Sequence, residues 1–203
     1  MTLPLIQIYD TTLRDGTQSE GFTLSGNDKI RIAQKLDELG VAFIEGGWPG
    51  SNPKDVEFFE RARDMQWKNS LIAAFGSTCR VKGGPEDDAN IKALLDSQTP
   101  VCTIFGKSST LHVKEVLLTT NEDNLRIIEQ SVAYLKANGK RVIYDAEHFF
   151  DARDAESRHP RRRGDGGVVR YERRHNALGG RINNRRGERS GFSSVWDSHA
   201  QRF

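Results

Sequence analysis

Lysine is absent from residues 152–203, the sharpest of several shortages in a chain of 203 residues. Cysteine is nearly missing: Cys79 and Cys102 are too few and too far apart for a disulfide framework or a zinc site. Both lie near apolar, strand-like segments and read as small core residues. No apolar run is long enough for a membrane. The N-terminal stretch is brief and is broken by Pro4, Gln7 and Asp10, so neither a secretory nor a transmembrane segment is predicted, and the cytosol is the default. What remains is a chain long enough for one real core.

The formal net charge of +2 hides an asymmetry. Residues 1–151 carry 10 Lys and 7 Arg against 22 acidic residues, a net of −5. Residues 152–203 carry 13 Arg against 6 acidic residues, a net of +7. So abrupt a change in charge habit divides the chain into two parts, 1–151 and 152–203.

The first part alternates apolar strands with amphipathic helices. Strands are predicted near Leu5–Tyr9, Val41–Glu45, Leu71–Phe75 and Pro100–Phe105, with a fifth beginning at Val142–Tyr144. Helices are predicted over about 27–39, 53–65, 87–96 and 122–137. In the first helix Ile30, Ile32, Ala33, Leu36 and Leu39 share a side, and Gly40 ends it. Repeated βα units imply an α/β fold, a parallel sheet with right-handed crossovers. Polar residues recur where the strands end: Arg14 and Asp15, Glu45, Ser77 and Thr78, Lys107, Glu147 and His148. Gly47-Trp48-Pro49-Gly50 reads either as a rim loop or as a rigid turn with a packed tryptophan. Gly83-Gly84-Pro85 lacks the lysine and helix of a phosphate loop.

Residues 10–18, DTTLRDGTQ, gather Arg14, Asp15 and Gln18 just past the first strand. In parallel α/β proteins that end of the sheet is where chemistry is built. Aspartate is a hard oxygen ligand and arginine steadies oxyanion charge, a pairing suited to a metal-bound, anionic oxo substrate. Taken alone the segment also reads as a solvated turn, since Asp, Thr and Asp-Gly favour turns. DTTLRDGTQ, together with GFTLSGNDKIRIAQKLDELGVAFIEGGWPGSNPKD (residues 21–55), resembles the acyltransferase and lyase family of isopropylmalate, homocitrate and citramalate synthases and hydroxymethylglutaryl-CoA lyase. The resemblance runs from about Ile6 to Asp151 and is greatest to the citramalate-forming branch.

That resemblance implies a partial (β/α)8 TIM barrel, about the first five βα units of a fold that typically takes about 250 residues. It implies an acyltransferase that condenses acetyl-CoA with a 2-oxo acid, pyruvate in the citramalate branch, in branched-chain amino-acid biosynthesis. A divalent metal cation (Mg, Mn or Zn) is expected, with Asp15 as one ligand. Arg14 would stabilise charge on the attacked oxygen, and Glu147 would move a proton. Gln18 and Glu45 would orient the substrate. Asp145 is an alternative to Glu45, and a buried carboxylate at either place needs a partner. The parent enzyme is expected to be a homodimer with small-molecule substrates and no membrane attachment.

Arginine-rich, lysine-free text is what a GC-rich gene yields when read out of frame. Writing permitted codons for Val168–Asn176 and dropping one base allows LCDTNGGIM; Ala177–Arg181 then allows PWEVE, and Val195–Phe203 allows FGIHTHND. CDTNGG and HTHND resemble the family's sixth-strand segment and its metal-binding His-x-His. Two histidines at alternate strand positions point the same way and reach one metal. A small deletion near Ala152 would explain both the shift and the short distance to LCDTNGG. As written the chain lacks that pair, and His159, His175 and His199 show no ligand spacing. Little or no synthase activity is therefore expected of this polypeptide, and an irregular tail is expected after Asp151. Two alternatives stand beside this reading. One is isopropylmalate or homocitrate synthase, or lyase, chemistry on the same scaffold. The other is a non-enzymatic protein with a basic, nucleic-acid-binding tail, which the lack of lysine, stacking platform and recognition motif argues against.

Overall fold

Residues 6–21 and 23–150 are described by a computed structural model of the chain. The tail, and with it the expectations for His159, His175 and His199, lies outside the described residues. Five parallel strands run in sequential order: β1 (Tyr9–Asp10), β2 (Phe43–Gly47), β3 (Leu71–Ser77), β4 (Val101–Lys107) and β5 (Arg141–Glu147). The helices between them are α1 (Gly26–Leu39), α2 (Pro53–Arg63), α3 (Ala89–Asp96), α4 (Thr110–Glu115) and α5 (Asn121–Ala137). This is the half-barrel, α/β arrangement that the sequence predicts.

Local signals set the helix ends. Ser25 caps α1 in a reciprocal box with Asp28, and Gly40 closes it in the left-handed conformation at φ 83°. Asn52 and Pro53 start α2, Asp88 caps α3, and Thr120 caps α5. The short α4 carries no periodic apolar signal and was not predicted.

Each strand alternates between two buried faces, as parallel sheets require. Outward, Ile44, Ile72, Ala74, Cys102 and Ile104 pack under Phe58, Phe59, Ile91, Leu94, Ile127 and Leu135 of the helices. Inward, Phe43, Ala73 and Val101 pack with Tyr9 and Ile143. Burial pushes both thiols up, that of Cys102 to about 11 against the opposing pull of Lys140, which fits the core role read for them.

The sheet curls toward its inner face. β1 and β4 are three strand spacings apart, about 14 Å in a flat sheet. Yet the Tyr9 hydroxyl meets Thr103 Oγ1 at 2.6 Å. Arg141 of β5 likewise lies 4.6 Å over the Phe43 ring and donates to Gln7 Oε1 at 3.2 Å. These chords across the concave face hold the curvature of a barrel wall.

Two details differ from the sequence-based expectation. Leu39 does not join the apolar side of α1. It is 78% exposed, because the inward line of that helix is Gly26, Lys29, Ala33 and Asp37. The first strand is confined to Tyr9–Asp10, although Ile8 C=O still accepts from the N–H groups of Ala42 and Phe43.

Candidate active site

The segment after β1 folds on itself. Asp10 accepts from the Thr12 N–H and hydroxyl, and the N–H groups of Arg14, Asp15 and Gly16 all converge on Thr11 C=O. Leu13 is fully buried and anchors the turn in the outer core. The turn then delivers Arg14 inward and leaves Asp15 half-buried beside it.

Arg14 is buried and its guanidinium is gripped on three sides. Nε donates to Glu45 Oε1 at 2.5 Å, Nη1 donates to Asp15 Oδ1 at 3.2 Å, and the Phe75 ring lies 3.9 Å from Cζ. Glu45, 1% exposed, also accepts from the Tyr9 hydroxyl at 2.6 Å. The expectation that a buried Glu45 needs a partner is met twice over.

Glu147 ends β5 in register with Lys107 on β4, and Lys107 Nζ donates to its carboxylate. Alternation from Ile143 puts Asp145 and Glu147 on the concave face that carries Glu45 and Phe75. Glu147 thus shares the rim with Arg14 but is bound to Lys107, not to the Arg14–Glu45 pair. His148 follows it at φ 57°, a left-handed conformation, and its ring meets His112 edge-on at 5.1 Å. Gln18 is not drawn into either group. It closes a 3₁₀ turn through its N–H to Asp15 C=O, and it is exposed.

Sequence reasoning missed the support around this site. Gly46 and Gly47 are demanded by close approach: a Cβ on the first would stand 2.2 Å from Phe58, and on the second 2.3 Å from Asp55. Buried Lys29 reaches Asp55 and donates to Gly46 C=O at 3.1 Å, while Asp55 accepts the Trp48 N–H at 2.8 Å. Trp48 is therefore both rim residue and packed tryptophan. It stands edge-on to Phe75 and Phe105, which stack on each other at 5.4 Å. Lys29 falls on the inward line of α1, a signal that an apolar-only reading passes over.

The donor set bears on the expected metal. Among the described residues no group of three or more His, Cys, Asp or Glu side chains is arranged to hold an ion. Asp15 offers one hard carboxylate at the rim, which is one ligand and not a site.

The HMGL-like family model matches residues 5–158. The chain belongs to the HMGL-like family. Its HMGL-like part is 55% identical over 149 residues to an (R)-citramalate synthase of Geobacter sulfurreducens, covering 73% of this chain and 28% of that protein. An (R)-citramalate synthase of Aquifex aeolicus is 54% identical over 146 residues, 72% of this chain and 28% of that one. A homocitrate synthase AksA of Methanothermobacter thermautotrophicus is 38% identical over 143 residues, 70% of this chain and 34% of that one. The chain therefore spans a little over a quarter of the length of its citramalate synthase relatives. Among solved structures, a Pseudomonas aeruginosa hydroxymethylglutaryl-CoA lyase superposes with a TM-score of 0.51 at 23% identity, over 68% of this chain and 45% of that one, a likeness of fold.

Proposed function

We propose that this rim is part of the active site of an acyltransferase that condenses acetyl-CoA with a small 2-oxo acid, pyruvate, to give citramalate. One observation carries the reading. A buried guanidinium, fixed by Glu45 and Phe75, faces the strand ends of a chain 55% identical over its matched part to (R)-citramalate synthase. The lower identity to a homocitrate synthase, 38%, favours citramalate over its neighbours.

In this reading Arg14 binds the keto-acid oxygens, and Asp15 would be one oxygen donor to a divalent cation, which would supply Lewis-acid chemistry there if the remaining donors came from beyond the described residues. A base takes a proton from the acetyl methyl, and the methyl carbon attacks the ketone carbon. The ketone oxygen gains the electron pair and then a proton, while Arg14 offsets its charge. Water then splits the thioester, releasing the CoA thiol and a carboxylate. Glu147 is the proposed proton carrier, and Glu45 orients Arg14. Gln18, exposed in the turn after Asp15, is proposed to orient the keto acid from the rim. Trp48, Phe75 and Phe105, packed together beside Arg14, are the proposed apolar wall against the keto acid's side chain.

Residues 152–203 are read as the out-of-frame product of a gene that continues the barrel, so 1–151 is the catalytic part. The nucleotide sequence over codons 150–170 tests this, followed by assay of CoA release from the chain and from a frame-restored product. Pyruvate-dependent release by the restored product, and at least about 100-fold less by the 203-residue chain, is expected. Faster turnover of a branched 2-oxo acid, or a tail encoded in an undisturbed frame, overturns the corresponding part.

A further inference from the structure

We propose that Tyr9 is a positioning residue that sets the Arg14 guanidinium through Glu45, as the middle member of a relay that starts at Thr103. The substrate consequence rests on the proposed keto-acid site; the positioning itself does not. An ionised carboxylate only accepts, so the single Tyr9 O–H proton goes to Glu45 Oε2, at 2.6 Å. The Thr103 hydroxyl, also at 2.6 Å, therefore donates to Tyr9 Oη. The bonds run in one direction, Thr103 to Tyr9 to Glu45, and Glu45 Oε1 takes the Arg14 Nε–H at 2.5 Å. Bonds aligned in this way polarise one another.

The geometry is a property of the curled sheet. Thr103 is 1% exposed on β4, Glu45 is 1% exposed on β2, and Tyr9 crosses from β1 over the small Ala73 of β3. The Tyr9 ring is held by stacking on Phe43 at 5.9 Å. The relay thus couples the curvature of the wall to the orientation of Arg14. A tyrosine that merely fills space there would not need its hydroxyl.

The test uses the ¹⁵N-labelled 203-residue chain and the side-chain Nε–H signal of Arg14, assigned by its loss in Arg14→Lys. Slow solvent exchange is expected in the wild type. Tyr9→Phe is expected to speed it about tenfold, the scale of one lost hydrogen bond to a charged group, with backbone amide signals unchanged away from the site. Thr103→Val should give a smaller acceleration and none in the Tyr9→Phe background, while Thr103→Ser, which keeps the hydroxyl, should exchange like wild type. Unchanged exchange in Tyr9→Phe, or equal effects of Thr103→Val in both backgrounds, overturns the relay. Pyruvate titration of the frame-restored product separates the two claims. If Arg14 exchange responds to Tyr9→Phe in the 203-residue chain but pyruvate does not perturb Arg14 in the frame-restored product, the positioning stands and the keto-acid reading falls.

Discussion

Two buried ion pairs among the described residues differ in what they hold. Lys29–Asp55 lies between α1 and α2, and its polar atoms go to backbone: Gly46 C=O on one side and the Trp48 N–H on the other. Arg14–Glu45 lies on the concave face. Among the described residues Arg14 gives two of its five N–H donors, one to Glu45 and one to Asp15. Charge pairing is common to both, so pairing does not mark a binding group. The mark is the place of the cation, at the end of the sheet where a substrate can arrive.

The largest effect should come from removing one partner of the concave pair. Glu45→Ala leaves the Arg14 guanidinium buried beside a cavity and is expected to cost about 3–5 kcal/mol in urea unfolding, with loss of pyruvate binding. Lys29→Met strands the Asp55 carboxylate and should cost about 3 kcal/mol, yet weaken pyruvate far less than Arg14→Lys does. Equal loss of pyruvate affinity in Lys29→Met and Arg14→Lys would erase the distinction between the pairs.

A third charged group sharpens it further. Asp37 is buried at the other end of α1. Burial opposes its ionisation, but the N–H groups of Lys68, Asn69 and Ser70 outweigh that and hold its carboxyl below the ordinary carboxylate range. A depressed folded value means stability that is present above the unfolded value of 3.8 and is lost as pH falls through the folded one. Asp37→Asn is expected to cost about 2 kcal/mol near neutrality and to flatten the acid limb of stability, with no effect on pyruvate. Next comes Trp48→Ala, which opens the aromatic wall and should raise the affinity for 2-oxobutyrate relative to pyruvate by about tenfold, read by competition titration. Leu39→Lys, at an exposed helix end, should change stability by less than about 0.5 kcal/mol.

The βα alternation was legible because apolar period and helix-end residues act locally: Gly40 and Pro53 each mark an end without help from distant chain. Arg14, Asp15 and Glu45 were legible as rim residues for a similar reason, since they follow strands. Tyr9, Thr103, Lys29 and Asp55 were not. Their partners are 94, 36 and 26 residues away in sequence, and a tyrosine at the end of an apolar run looks like any core residue. Glu147 was placed on the correct rim, but Lys107 as its partner depends on the β4–β5 register.

Residue order alone thus determined the parallel α/β wall, its main helices and the turn that carries Arg14, because each depends on short-range sterics and hydrogen bonding. Only the curled tertiary structure decided which charges meet. Bringing Tyr9 to Thr103 across three strand spacings requires the sheet to bend, and that bend belongs to the packing of the whole wall and to no single segment.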